Sequence, residues 1–173
     1  TIRLAKMGML VAISVVLVYF IHFPIFPAVP FLEYDPADIS ILIGTFAFGP
    51  LAGLGLTVVT SVIQGLTVSA HSGAYGIIMH IIATGTMVLV AGLIYGKGKT
   101  KKKAVTALAA GSLAMVVVMF FANLVVTPLF MGVPREVVMT LMPMILAFNF
   151  VKAGINSTIT FLLYKRLSGF LRR

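Results

Sequence analysis

Lys152 stands in the middle of an apolar run, Met142-Pro143-Met144-Ile145-Leu146-Ala147-Phe148-Asn149-Phe150-Val151-Lys152-Ala153-Gly154-Ile155-Asn156. An ammonium group donates hydrogen bonds and accepts none. Held at mid-depth in a membrane it costs several kcal/mol unless it is paired or hydrated. Asn149 and Asn156 lie three residues before it and four after it, on the same face of a helix. Asn123 places another amide inside a second apolar run. Amides both donate and accept. An oriented set of amides and one cation within apolar walls has the chemistry of a small-molecule site. The plainer alternative is that Lys152 pairs structurally and the asparagines hold helices together. Gln64 and His80 are weaker candidates for the same site. His22, His71 and His80 lack metal-ligand spacing and acidic companions, so no metal site is expected.

A second unusual feature is the segment Phe23-Pro24-Ile25-Phe26-Pro27-Ala28-Val29-Pro30-Phe31-Leu32-Glu33-Tyr34-Asp35-Pro36-Ala37-Asp38. Its prolines stiffen it, and its phenylalanines make it too apolar for an idle loop. It reads as a lid folded over a pocket. Asp35 precedes Pro36, and Asp38 follows three residues later. That pattern predicts an N-cap with a variant capping box, with Pro36 at the first helical position. Glu33, Tyr34 and the Leu32 backbone have no such structural duty and are candidates for ligand contact.

Other chemistries lack their residues. Without cysteine there is no disulfide, thiolate nucleophile or Cys-based metal site. Gly98-Lys99-Thr100 looks like the tail of a phosphate-binding loop, but the first glycine of that motif would fall on Leu93. The four acids fall in outward loops or at helix ends, so no deep carboxylate pair is expected. No nucleophile–base pair stands out, and no enzymatic activity is expected.

The elements that must position these residues are membrane helices. Of the 173 residues, 60% are hydrophobic and only 10% charged, against about 45–50% and about 25% in soluble domains. That balance excludes both disorder and an ordinary soluble enzyme. A membrane helix needs about 20 mostly apolar residues. Six stretches are expected: Leu4–Ile21, Ala37–Phe48, Leu51–Val68, Ala74–Tyr95, Ala104–Phe130 and Val137–Tyr164. The breaks fall at Pro24, Pro27 and Pro30, at Gly49-Pro50, at His71-Ser72-Gly73, from Gly96 to Lys103, and at Gly132-Val133-Pro134. The reading is an all-α integral-membrane protein, one substrate-binding domain over residues 1–173. Leu4–Ile21 lacks a small-residue cleavage site and is followed by further spans, so it is not expected to be a cleaved signal peptide.

Charge sets the orientation. Six spans put both termini on one side, together with Arg3, Lys6, Lys97, Lys99, Lys101, Lys102, Lys103, Lys165, Arg166, Arg172 and Arg173, which are 11 of the 13 basic residues. The positive-inside rule then places both termini in the cytoplasm. The net charge of +9 is explained by a membrane rather than by nucleic acid. Gly8 and Ala12 form a small-xxx-small pair on the first helix, which lets another helix approach closely.

Leu32-Glu33-Tyr34-Asp35-Pro36-Ala37-Asp38-Ile39, Phe48-Gly49-Pro50-Leu51-Ala52-Gly53 and Asn149-Phe150-Val151-Lys152 resemble the riboflavin-specific S component of energy-coupling-factor (ECF) vitamin transporters. The resemblance covers essentially the whole chain. Ser40 departs from it, standing where proline is expected. The resemblance implies a six-helix S-component bundle in the cell membrane that captures riboflavin, or its phosphate FMN, from outside. A transmembrane T component and two cytoplasmic ATPases would power release. Asn123, Asn149 and Lys152 would map onto the flavin-contacting amides and lysine, and Gly8 and Ala12 onto the T-component dock. The chemistry agrees: an amide can pair with the ring carbonyl and ring N–H, and a lysine can donate to the ring. Leu32 to Tyr34 and Gln64 would meet the ribityl hydroxyls, and His80 would be a further contact. An S component for another vitamin and an autonomous secondary transporter are the alternatives. The latter is disfavoured by the lack of visible inverted repeats.

Overall fold

The computed structural model describes residues 2–30, 32–68, 70–71 and 73–173. Six helices follow one another: α1 (Ile2–Phe20), α2 (Ala37–Phe48), α3 (Pro50–Leu66), α4 (Gly73–Gly96), α5 (Lys101–Met131) and α6 (Arg135–Arg172). They occupy the six expected places. Of the expected breaks and lid residues, Ser72 and Phe31 lie outside the described residues. Helices α1, α4, α5 and α6 are long and apolar enough to cross a membrane. The other two are short. At 1.5 Å per residue, α2 spans about 18 Å and α3 about 26 Å, against a hydrocarbon core of about 30 Å.

Helix α2 ends at the Gly49-Pro50 turn and lies at the centre of the bundle. It is apolar on all sides, the pattern of a fully buried helix, and every residue except Phe48 is buried. It packs against α1, α3, α4 and α6, while α4 packs on α3 and α5, and α5 on α6. The turn into α3 uses Gly49, whose φ of 99° suits glycine. Pro50 follows as the first residue of α3, where its missing N–H costs nothing. Glycines on neighbouring helices let α2, α3 and α4 close in. A Cβ on Gly92 would stand 2.8 Å from Pro50 Cβ and 2.9 Å from Thr45 Cγ2. A Cβ on Gly53 would overlap Thr45 Oγ1 and Val88 Cγ1. Gly92 thus serves internal packing. Gly8 has no heavy atom within 4 Å of a built Cβ, and both Gly8 and Ala12 are exposed on α1.

Hydrogen bonds gather the basic segments at one end. Arg3 donates to Phe48 O (2.9 Å), Lys6 to Leu171 O (2.8 Å) and Lys165 to Lys99 O (3.5 Å). Two helices run further than hydropathy predicts. Thr100 Oγ1 accepts from Lys103 N at 3.2 Å and starts α5 before its lysines. Helix α6 continues past Tyr164 to Arg172.

The loop after α1 is closed by a two-residue antiparallel ladder pairing Phe23 with Tyr34 and Pro24 with Glu33. Beyond the ladder, Val29 is fully buried against Val138, Met142 and Ile145 of α6. The apolar loop is thus docked as a lid, as its composition suggests.

Candidate functional site

The lid, α3, α4, α5 and α6 line a half-open cleft of about 110 Å³. Leu32, Glu33, Gln64, His80, Asn149 and Lys152 line it. The helical spacing of α6 turns Asn149, Lys152 and Asn156 inward together, and all three are buried. Apolar walls come from Tyr75, Met79, Met119 and Phe148.

Lys152 is paired. Its Nζ lies 3.4 Å from Asp35 Oδ2, and Gln64 Nε2 donates to the same oxygen at 3.4 Å. The other oxygen, Oδ1, accepts from Ala37 N at 3.2 Å. That bond satisfies the N–H of the first residue of α2, but Asp35 is not the N-cap that the sequence suggests. The expected capping box is not formed. Pro36 is the cap residue rather than the first helical one, and Asp38 turns away from the helix start. Asp38 Oδ1 instead accepts from Thr84 Oγ1 at 2.7 Å and lies 3.4 Å from His80 Nε2. His80 Nδ1 in turn is hydrogen-bonded to Ser61 Oγ.

Two sequence expectations are corrected here. Asp35 and Asp38 are both buried, because Gln64 of α3, Thr84 and His80 of α4 and Lys152 of α6 replace water around them. Ser61, His80 and Asp38 also form a line of the residue types used for nucleophilic hydrolysis, although no nucleophile–base pair was apparent in sequence. His80 and Thr84 satisfy Asp38, which is 1% exposed, and Ser61 satisfies the other nitrogen of His80.

Asn156 is committed to the lid. Its Oδ1 accepts from Tyr34 Oη at 2.9 Å and its Nδ2 donates to Asp35 O at 3.2 Å. Burial first, and the Asp35 charge second, push the Tyr34 phenol above its ordinary range, so it remains a donor. Glu33 Oε1 meets His71 Nε2 at 3.0 Å, tying the lid to the turn before α4. Asn123 is fully buried but lies off the cleft wall. Its amide donates to Met119 O and accepts from Thr127 Oγ1, each at 2.7 Å.

Two buried polar atoms of cleft residues have no hydrogen-bond partner among the described residues: Asn149 Nδ2 and Gln64 Oε1. Buried amides are normally satisfied. One donor and one acceptor thus remain unpaired on residues that line the cleft together with Lys152. Such a set suits an uncharged heterocycle with carbonyl and ring N–H edges.

The structure is thus an apolar helical bundle with a polar cleft beneath a docked lid. The profile of the ECF transporter substrate-specific component matches residues 2–164, and the chain belongs to that family. It is 31% identical to the riboflavin transporter RibU of Staphylococcus aureus, over 99% of this chain and 93% of that one. It is 29% identical to the riboflavin transporter FmnP of Bacillus subtilis, over 71% and 65%. A solved S component of a bacterial ECF transporter covers 99% of this chain and 98% of its own at a TM-score of 0.83 and 32% identity. These relatives are transporter components, in keeping with a non-enzymatic role.

Proposed function

We propose that this chain is the riboflavin-binding S component of an ECF importer. The observation that carries the reading is the unsatisfied amide of Asn149 beside Lys152, in a family whose two relatives above are named riboflavin transporters. In this reading the polar edge of the flavin ring meets Asn149 and Lys152. Its dimethylbenzene end lies against Met79, Met119 and Phe148. Ribityl hydroxyls meet Gln64, Glu33 and the Leu32 backbone, with Tyr34 holding the lid and His80 bracing the wall.

The cleft, at about 110 Å³, is narrower than the roughly 300–1,000 Å³ of ordinary ligand sites. Entry therefore requires the lid to move, loosening the Glu33–His71 and Tyr34–Asn156 contacts. The gathered basic ends support six crossings with both termini in the cytoplasm, which sets the lid outside. Release would need a T component and two ATPases, docking at the exposed Gly8 and Ala12 face of α1.

The test is quenching of riboflavin fluorescence by the purified chain, with FMN, thiamine and biotin as competitors. Saturable quenching displaced by unlabelled riboflavin but not by thiamine or biotin supports the reading. Displacement by thiamine or biotin assigns another vitamin. The FMN arm sets whether a ribityl phosphate is tolerated.

A further inference from the structure

We propose that a groove between α5 and α6 holds an acyl chain of an anionic phospholipid, with the lipid phosphate among Lys101, Lys102 and Lys165. The groove has a volume of about 470 Å³ and lies apart from the cleft. On α5 it follows Val105, Leu108, Ala109, Ser112 and Leu113, one stripe of a helix. The same stripe continued one turn back reaches Lys101 and Lys102. On α6 it follows Phe150, Gly154, Ser157, Thr158 and Phe161, and one turn further lies Lys165.

Both stripes thus lead to the same cationic mouth. Lys165 Nζ reaches Lys99 O at 3.5 Å, which places the end of α6 beside the start of α5. Among the described residues no side-chain carboxylate pairs with these lysines: Glu33 meets His71 and Asp38 meets His80. Of the four acids, Asp35 is held at Lys152, about 20 Å along α6 from Lys165. Glu136 is in the first turn of α6, about 43 Å away along the helix. The groove itself asks for an apolar guest. Ser112 and Ser157 hydrogen-bond each other at 3.1 Å, and Thr158 donates to Gly154 O at 2.7 Å. Each of these hydroxyls already has a partner within the protein, so a hydrocarbon chain displaces no hydrogen bond. Gly154 opens the groove, with nothing within 4 Å of a built Cβ. A transmembrane helix from another protein could fill the apolar part but would leave the cations unanswered. An anionic lipid answers both.

The experiment is native mass spectrometry of the full chain in detergent, titrated with phosphatidylglycerol or phosphatidylcholine carrying identical acyl chains. A first phosphatidylglycerol is expected to be retained about fivefold more than phosphatidylcholine. K101Q/K102Q/K165Q should abolish that preference. G154F should lower retention of both lipids, with flavin binding kept as the check on folding. L113W, which crowds the groove from α5, gives a second reading should G154F not fold. Glycerophosphate, which has the headgroup charge and no chains, should not compete. Equal retention of the two lipids overturns the proposal. So does a preference that survives both groove-filling variants, or competition by glycerophosphate, since either reduces the effect to surface charge. Unchanged lipid retention in a G154F or L113W chain that no longer assembles with its transporter would give the groove to a protein helix instead, also overturning it.

Discussion

Lys152 on α6 and Asp35 in the lid, 117 residues apart, form a buried ion pair at 3.4 Å. The pair ties the binding helix to the element that covers it. Removing one charge leaves the other buried and uncompensated, at a cost of about 3–5 kcal/mol. Asp35→Asn, which keeps an oxygen for Ala37 N, should therefore lower thermal stability in detergent without ligand. Lys152→Met should also lower it. The double variant should recover part of the loss, with a coupling of about 1–3 kcal/mol. Additive losses in the cycle would mean that the two groups do not act as a pair.

Asn149 and Asn123 should behave oppositely. Asn149 Nδ2 has no partner among the described residues, so Asn149→Ala should leave the ligand-free chain almost as stable as before. It should weaken riboflavin binding by about 5- to 150-fold, the worth of about 1–3 kcal/mol. Asn123 is satisfied within α5 by Met119 and Thr127. Asn123→Ala should lower the melting temperature first. Calorimetry of both variants with and without riboflavin separates these effects.

The tyrosine of the lid gives a pH signature. The Tyr34 phenol is held above its ordinary value, so the folded lid binds this proton more tightly than the unfolded chain does. Its contribution is complete below the ordinary phenol value of about 10 and declines as pH rises through that value towards the raised folded one. Tyr34→Phe should reduce stability at neutral pH by about 1 kcal/mol, through loss of the bond to Asn156. It should also flatten the alkaline decline. An unchanged alkaline slope in melting experiments between pH 8 and pH 11, roughly the window around that value, would remove Tyr34 from the account.

Much of the scaffold was legible because membrane helices announce themselves by apolar length. Ala37–Phe48 matches α2 at both ends. Where expectation and structure part, hydropathy marks the edge of the membrane while hydrogen bonding marks the edge of the helix. Thr100 and the run from Lys165 to Arg172 extend α5 and α6 beyond the apolar windows. At the site, the inward face of Asn149 and Lys152 followed from helical spacing alone. The partner of Lys152 did not. Asp35-Pro36 carries the signal of a cap, and the second carboxylate oxygen is free to do something that local sequence does not encode. The meeting of Asp38 with His80 and Thr84 depends on how α2 packs on α4, so spacing along the chain gives no hint of it.

The glycines make a further distinction. Gly92→Leu drives a side chain into Pro50 and Thr45, and should destabilise the chain by about 1–3 kcal/mol through overpacking. A Cβ at Gly8 meets no atom within 4 Å, and Gly8 is exposed on α1, so Gly8→Leu points into open space. It should leave melting temperature and riboflavin binding unchanged while reducing recovery of a copurified T component. Loss of riboflavin binding in Gly8→Leu would place that face inside the binding unit.

The most direct measurement is the flavin content of the protein itself. The chain is purified alone in detergent from cells grown with riboflavin, then denatured, and the released flavin is measured by absorption and fluorescence. The account predicts about one flavin per chain, as for a single binding site, and little or none from Lys152→Ala with Asn149→Ala. A colourless protein that also fails to quench added riboflavin would contradict it.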